Sequence, residues 1–297
     1  MRDRVLATWL VSTAIGIAGL LLPVAESAAQ VLENDTCLGC HGNEGFSAPG
    51  ADGKPRQLHV VGDRFGKSVH GKRLCVECHE NITAIPHEPG LQVKVSCVGC
   101  HESQWKSAQL ENRTKEAERM GVVVQQIDHY MKSIHARPSR QDQSRTNATC
   151  YNCHDAHYVY PAGSEARTEW RLNIPNTCGA CHARQREEYA KSVHGKAVLE
   201  DKNQYAAVCS DCHSTHDVES PAKASAKLAI VQNCGTCHAD SLKSYTGTYH
   251  GQVGTLGYAY TAKCYDCHGS HEVKRVADPA STMHPENRLN TCQKCHK

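Results

Sequence analysis

The chain contains 18 cysteines in 297 residues, and all of them fall within nine Cys-x-x-Cys-His pentapeptides. The pairs are Cys37/Cys40, Cys75/Cys78, Cys97/Cys100, Cys150/Cys153, Cys178/Cys181, Cys209/Cys212, Cys234/Cys237, Cys264/Cys267 and Cys292/Cys295. The histidines that follow them at once are His41, His79, His101, His154, His182, His213, His238, His268 and His296. No other feature restricts the fold as tightly, because no thiol is left over for another use.

Cys-x-x-Cys-His is the attachment signature of c-type haem. Two thiols add to the two vinyl groups of one haem, and the adjacent imidazole swings beneath the iron as proximal ligand. Other uses of paired cysteines fit less well. A structural zinc takes four protein ligands, usually from two Cys-x-x-Cys halves, and does not require a histidine after every pair. A disulfide scaffold would not confine all its cysteines to one pentapeptide. Nine haem c groups with their irons are the expected cofactors.

Export is expected as well. Arg2 and Arg4 precede an apolar run from Val5 to Leu22, and Ser27-Ala28-Ala29 offers a small-residue cleavage site before Gln30. This pattern reads as a secretory signal peptide over 1–29. The alternative is an uncleaved membrane anchor, since the run is close to the lower limit of about 17–25 residues for a span. Either outcome places the body outside the energy-conserving membrane, where c-type haem is attached. The expected location is periplasmic, with extracellular or membrane-anchored placement as the variants.

Two Phe and three Trp in a chain of mean hydropathy −0.55 would struggle to build an ordinary core. Nine apolar macrocycles would supply one. The expected fold is mainly α with much irregular structure and little or no sheet, wrapped around haems in repeated dihaem modules. The formal net charge is +2. It stays at +2 once Arg2, Arg4, Asp3 and Glu26 leave with the leader, and haem propionates would then make the protein net acidic. The charge therefore gives no support to nucleic-acid binding.

Internal repeats set the domain organisation. "TCGACHARQREEYAKSVHGK" (177–196) resembles "NCGTCHADSLKSYTGTYHGQ" (233–252), and a second motif follows each, in "CSDCHSTH" and "CYDCHGSH". Earlier copies run from "CVGCH" through "KSIHA" to "CYNCHDAH", and from "CLGCH" through "KSVHG" to "CVECH". The expected division is an N-terminal module over 30–96, a module with a helical insert over 97–177, a third over 178–233, and a C-terminal module over 234–297 that includes the ninth motif.

A haem iron held by a proximal histidine has a sixth position to fill. Eleven histidines lie outside the motifs. His70, His135, His194 and His250 occupy a Ser/Thr-x-His-Gly/Ala slot. His157, His216 and His271 stand three residues after a proximal histidine, and His87 and His284 complete a set of nine. His59 and His129 are left over. Residues three apart share a face of a helical turn, so His271 cannot easily serve the far side of its own haem and should reach a neighbour. The methionines other than Met1 are Met120, Met131 and Met283. They are too few for nine haems, so bis-histidine ligation and low potentials are expected.

The runs "LHVVGDRFGKSVHGKRLCVECHENITAIPHEP" (58–89), "NTCGACH", "YAKSVHGKA" and "DPASTMHPENRLNTCQKCH" resemble the periplasmic multihaem cytochromes c of respiratory bacteria, including the octahaem-type proteins. The likeness covers nearly all of the chain after the leader. It implies closely packed bis-histidine haems and electron transfer, with His70, His135, His194, His250, His157, His216 and His271 as distal ligands. The chain departs from the pattern at Ala136, where Gly is usual, and at the long insert 102–149.

Within that insert, residues 102–136 predict a helix or helical hairpin with Trp105, Leu110, Met120, Val124, Ile127, Met131 and Ile134 on one face. The polar stretch 137–149 predicts a mobile loop. Three functions compete: an electron carrier with every iron saturated, a reductase of nitrite, hydroxylamine or a sulfur oxyanion with one open iron, and a polymeric extracellular wire built by cross-subunit ligation. The first is favoured by the complete ligand count and by the absence of any Cys-x-x-Cys-Lys variant. Its partners would be redox proteins: a membrane quinol-oxidising complex, other cytochromes or a terminal reductase.

Overall fold

The computed structural model describes residues 32–50, 53–87 and 95–297. The expected leader, 1–29, lies outside them. Among the described residues no helix is long and apolar enough to cross a membrane.

The chain is mainly helical, with a single two-stranded sheet among the described residues. The first repeat holds α1 (Asn34–His41), the strands β1 (Ser47–Pro49) and β2 (Pro55–Gln57), α2 (Gly62–Gly66) and a 3-10 turn over Cys75–Glu77. The strands are antiparallel, with Ala48 opposite Arg56. The second repeat holds α3 (Cys97–Leu110), α4 (Thr114–Lys132) and α5 (Cys150–Cys153). It also holds α6 (Glu165–Leu172), and α7 (Ile174–Gly179) crosses into the third, which holds α8 (Ala183–Lys191), α9 (Val193–Leu199) and α10 (Cys209–His213). α11 (Ala224–Gly235) crosses into the fourth, which holds α12 (Ala239–Thr246), α13 (Tyr249–Thr255) and α14 (Cys264–His268), and α15 (Arg288–Cys292) carries the last motif.

Single helical turns such as α5, α10 and α14 do not persist in isolation, because nucleation costs more than one turn returns. Here the residue before the second cysteine closes the turn from within. Asn152 Oδ1 accepts from the Thr149 N–H at 2.7 Å, Asp211 Oδ2 from the Val208 N–H at 2.7 Å, and Asp266 Oδ2 from the Lys263 N–H at 2.8 Å. Each acidic or amide side chain satisfies a donor that the short helix leaves orphaned.

Three backbone hydrogen bonds tie the repeats together. The N–H of Val69, Ile134 and Val193, each just before a Ser-x-His histidine, donates to the carbonyl of Val159, Val218 and Val273 respectively, at 2.8, 2.8 and 2.9 Å. Each acceptor lies two residues after a Cys-x-x-Cys-His-x-x-His histidine of the next repeat.

The insert forms two helices, α3 packed on α4, with Met120 and Val124 buried. The expected single face is corrected in part: Leu110 is 83% exposed and Met131 57%. The working stripe of α4 is Val123, Gln126, Ile127 and Tyr130, which lines an internal cavity. Met131 falls about 100° around the helix from Tyr130. The stretch 137–149 does not run free. It folds back through a bridge between Pro138 and Thr146, and the Ala148 N–H reaches the His135 carbonyl at 3.0 Å.

Few side chains are buried against one another. The main apolar cluster joins Ile174 of α7 to Tyr189, Val198 and Val208 in the third repeat. The space that a core would fill is instead a continuous cavity of about 2860 Å³, bordered by residues from Thr36 to Met283. A single ligand pocket is about 300–1,000 Å³, so this volume suits several bulky groups.

Candidate cofactor-binding site

Eight pairs of histidine rings face each other, and every ring but that of His296 borders this cavity. The pairs with near-parallel planes are His41–His87 (centroids 6.1 Å, 11°), His79–His157 (6.3 Å, 22°), His154–His216 (5.9 Å, 19°) and His213–His271 (6.0 Å, 28°). The pairs with steeply crossed planes are His101–His70 (6.1 Å, 71°), His182–His135 (6.3 Å, 57°), His238–His194 (6.1 Å, 56°) and His296–His250 (5.8 Å, 59°). Every pair joins one histidine of a Cys-x-x-Cys-His motif to one histidine outside the motifs.

The separation has a simple meaning. Two imidazoles bonded at about 2 Å to opposite sides of one metal ion place their ring centroids about 6 Å apart. Face-to-face stacking would bring the near-parallel pairs closer, whereas the crossed pairs also fall in the range of ordinary edge-to-face contacts. The gap therefore fits one ion and the thickness of a flat ring around it. Among the described residues no group of three or more His, Cys, Asp or Glu side chains is placed to hold a metal ion by itself.

Four of the rings are held from behind. Nδ1 of His41 donates to the Leu58 carbonyl at 3.0 Å, and Nδ1 of His70 to the Ala156 carbonyl at 3.1 Å. Nδ1 of His216 faces Gln126 Oε1 at 3.0 Å, and Nδ1 of His271 faces Glu188 Oε2 at 3.3 Å. A proton held on Nδ1 leaves Nε2 as the ligating nitrogen. Burial, reinforced by the facing imidazole, pushes His79, His101, His135, His154, His194 and His213 below the ordinary histidine pKa. The neutral ring that results is the form that binds metal. Nδ1 of His101 is buried and makes no hydrogen bond.

The pairing crosses the repeats in both directions. The Ser/Thr-x-His histidine of each repeat faces the first motif of the next: His70 meets His101, His135 meets His182, His194 meets His238, and His250 meets His296 of the ninth motif. The Cys-x-x-Cys-His-x-x-His histidine faces the second motif of the preceding repeat: His157 meets His79, His216 meets His154, and His271 meets His213. His87 closes the N-terminal end on His41. The remaining members, His268 and His284, form no such ring pair. Thr282 Oγ1 donates to the Cys267 carbonyl at 2.5 Å and holds the His284 segment beside the eighth motif. His59 borders the cavity next to Leu58, and neither His59 nor His129 joins a ring pair.

The cysteines follow the same order. First cysteines lie next to one another within each repeat: Cys37 by Cys75, Cys97 by Cys150, Cys178 by Cys209 and Cys234 by Cys264. Between repeats, Cys78 interacts with Cys100, Cys153 with Cys178 and Cys181, Cys212 with Cys237, and Cys267 with Cys292 and Cys295. The nine motifs thus neighbour one another in sequence order.

One recurring element went unread in the sequence. Five residues before the Ser/Thr-x-His histidine stands Tyr130, Tyr189 or Tyr245, with Phe65 in the first repeat. Tyr130 donates to the Ala148 carbonyl at 2.7 Å, Tyr189 to Ala207 at 2.7 Å, and Tyr245 to Ala262 at 2.9 Å. Each acceptor lies two residues before the second motif of the repeat. The spacing was visible as "YMKSIH", "YAKSVH" and "YTGTYH".

No family model, curated protein or solved structure matches the chain.

Proposed function

We propose that this protein is an exported multihaem cytochrome c that carries nine covalently bound haems and transfers electrons along them. The observation that carries the reading is the partner choice of the rings: each of eight motif histidines faces a histidine from outside the motifs, at the separation that two axial ligands require. Haem would supply reversible one-electron chemistry at iron. The protein's part is to hold, orient and insulate. The cysteines fix each group covalently, the paired histidines saturate the iron from both faces, and the cavity walls exclude water. Ligands drawn from neighbouring repeats lock adjacent groups in register, as an electron path requires.

In this reading the four modules are dihaem units, the leader 1–29 directs the chain to the periplasm, and the partners are other redox proteins. Saturated irons favour a carrier over an enzyme. One observation favours the reductase as a second reading: His268 has no facing ring, so the eighth motif is where an open iron would lie.

Mass spectrometry of the exported protein, with ferric electron paramagnetic resonance, tests both. The carrier predicts nine covalent haems and only low-spin signals. A stoichiometric high-spin haem would favour the reductase, and fewer than nine haems would sink the ligand count.

A further inference from the structure

The three Cys-x-x-Cys-His-x-x-His histidines occupy equivalent places, yet the preceding repeat presents each with a different group. His157 meets the edge of Phe65 from α2, with ring centroids 6.4 Å apart and planes at 70°. His216 meets the neutral amide of Gln126 from α4, at 3.0 Å from Nδ1. His271 meets the carboxylate of Glu188 from α8, at 3.3 Å from Nδ1. In each case the supporting residue sits on the helix that leads into the Ser-x-His slot. The series runs apolar ring, amide, carboxylate along the second, fourth and sixth motifs.

Around His157 and His271 the other charges do not cancel the series, and His216 has His129, Asp217 and Arg167 nearby. Asp155 lies 3.8 Å from His157 Nδ1, too far for a hydrogen bond, and both side chains are solvated. Arg184 stands 3.8 Å from the other oxygen of Glu188 and is 79% exposed, so solvent screens it. The carboxylate oxygen facing His271 is free to accept its proton.

Resting on the haem reading above, we infer that Glu188 is a positioning residue that sets a potential: through His271 it makes the haem at Cys209/Cys212 the lowest in potential of the haems at the second, fourth and sixth motifs. A carboxylate that accepts the Nδ1–H of an axial imidazole raises the basicity of Nε2. The stronger donor stabilises ferric over ferrous iron. Gln126 accepts without a charge and raises basicity less. Phe65 offers His157 no acceptor. The electron path then carries three graded sites, each set by a residue of the helix that leads into a Ser-x-His slot, with the sixth motif the lowest in potential of the three.

The test compares Glu188→Gln and Gln126→Glu in the exported holoprotein, by spectroelectrochemical titration and ferric electron paramagnetic resonance. Both variants keep an acceptor of the same shape, so the fold and the covalent haem count should stay as in the parent. Glu188→Gln should move one one-electron step to higher potential and shift one near-parallel low-spin signal. Gln126→Glu should move a different step to lower potential. If nine haems are present and neither variant moves any step, the inference is overturned while the haem reading stands. If the protein carries no covalent haem, both fall.

Discussion

His213 and His271 face each other with ring centroids 6.0 Å apart and planes 28° from parallel, although 58 positions separate them by number and they belong to different repeats. His271 follows its own motif histidine, His268, by three residues, and turns away from it to serve the motif before. If that pair holds an iron, His271→Ala should leave all nine haems attached, because Cys209, Cys212 and His213 still hold theirs. One haem should turn high-spin, rise in potential and bind carbon monoxide when reduced. Unchanged spectra and no carbon monoxide uptake would make His271 a bystander.

The ring pairs fall into two geometric classes, and the classes alternate along most of the array. Parallel imidazoles donate into the same iron d orbital and split the pair strongly, whereas crossed imidazoles donate into both and leave them nearly equal. Ferric electron paramagnetic resonance should therefore show two low-spin families. The near-parallel sites at His41, His79, His154 and His213 should give rhombic spectra, and the crossed sites at His101, His182, His238 and His296 should give highly anisotropic signals. A single rhombic family would contradict the crossed geometry.

Gly195 lies in α9, where a glycine is ordinarily less stable than alanine by about 1 kcal/mol. Here the sign should reverse. A Cβ at 195 would come within 1.8 Å of the Tyr189 carbonyl oxygen, and one at 251 within 2.0 Å of the Tyr245 oxygen. Gly195→Ala should cost on the order of 1–3 kcal/mol and displace His194 from His238. The urea midpoint and the haem spectrum would report both effects. Ala136 holds this place in the second repeat, in a turn after α4 rather than in a helix.

Tyr189 is buried, and burial pushes its phenol well above the usual pKa, so it stays a donor. It holds the Ala207 carbonyl just ahead of the sixth motif. Tyr189→Phe should lower stability by about 1 kcal/mol, the net worth of one buried hydrogen bond, with the haem count unchanged. Phe65 shows that the first repeat is built without this hydroxyl. Denaturant unfolding of Tyr189→Phe against Tyr189→Leu would separate the bond from the packing.

Apolar side chains alone do not fill this fold. If haems fill the cavity as proposed, a chain expressed without haem attachment should lack a stable helical signature in circular dichroism, since the bound groups would then supply the folding energy, as metals do in small metallo-domains. A helical, cooperatively melting apo-chain would show that the protein folds on its side chains alone.

The sequence by itself determined the cysteine arithmetic and, His268 and His284 apart, the set of histidines that meet as ring pairs. These are written in short-range patterns: Cys-x-x-Cys-His, His three residues on, Ser-x-His. It also pointed to a mainly helical chain with little sheet, through its few aromatic residues, its low mean hydropathy and its haem-attachment motifs. Which histidine faces which was not readable, because the pairing is made between repeats, where the backbone bonds from Val69, Ile134 and Val193 to the next repeat fix the register. The grading of Phe65, Gln126 and Glu188 was hidden for the same reason. They occupy different offsets on helices of different length and become equivalent only once those helices are laid against the neighbouring repeat. Local spacing fixes what a residue can bind; only packing across repeats decides what stands behind it.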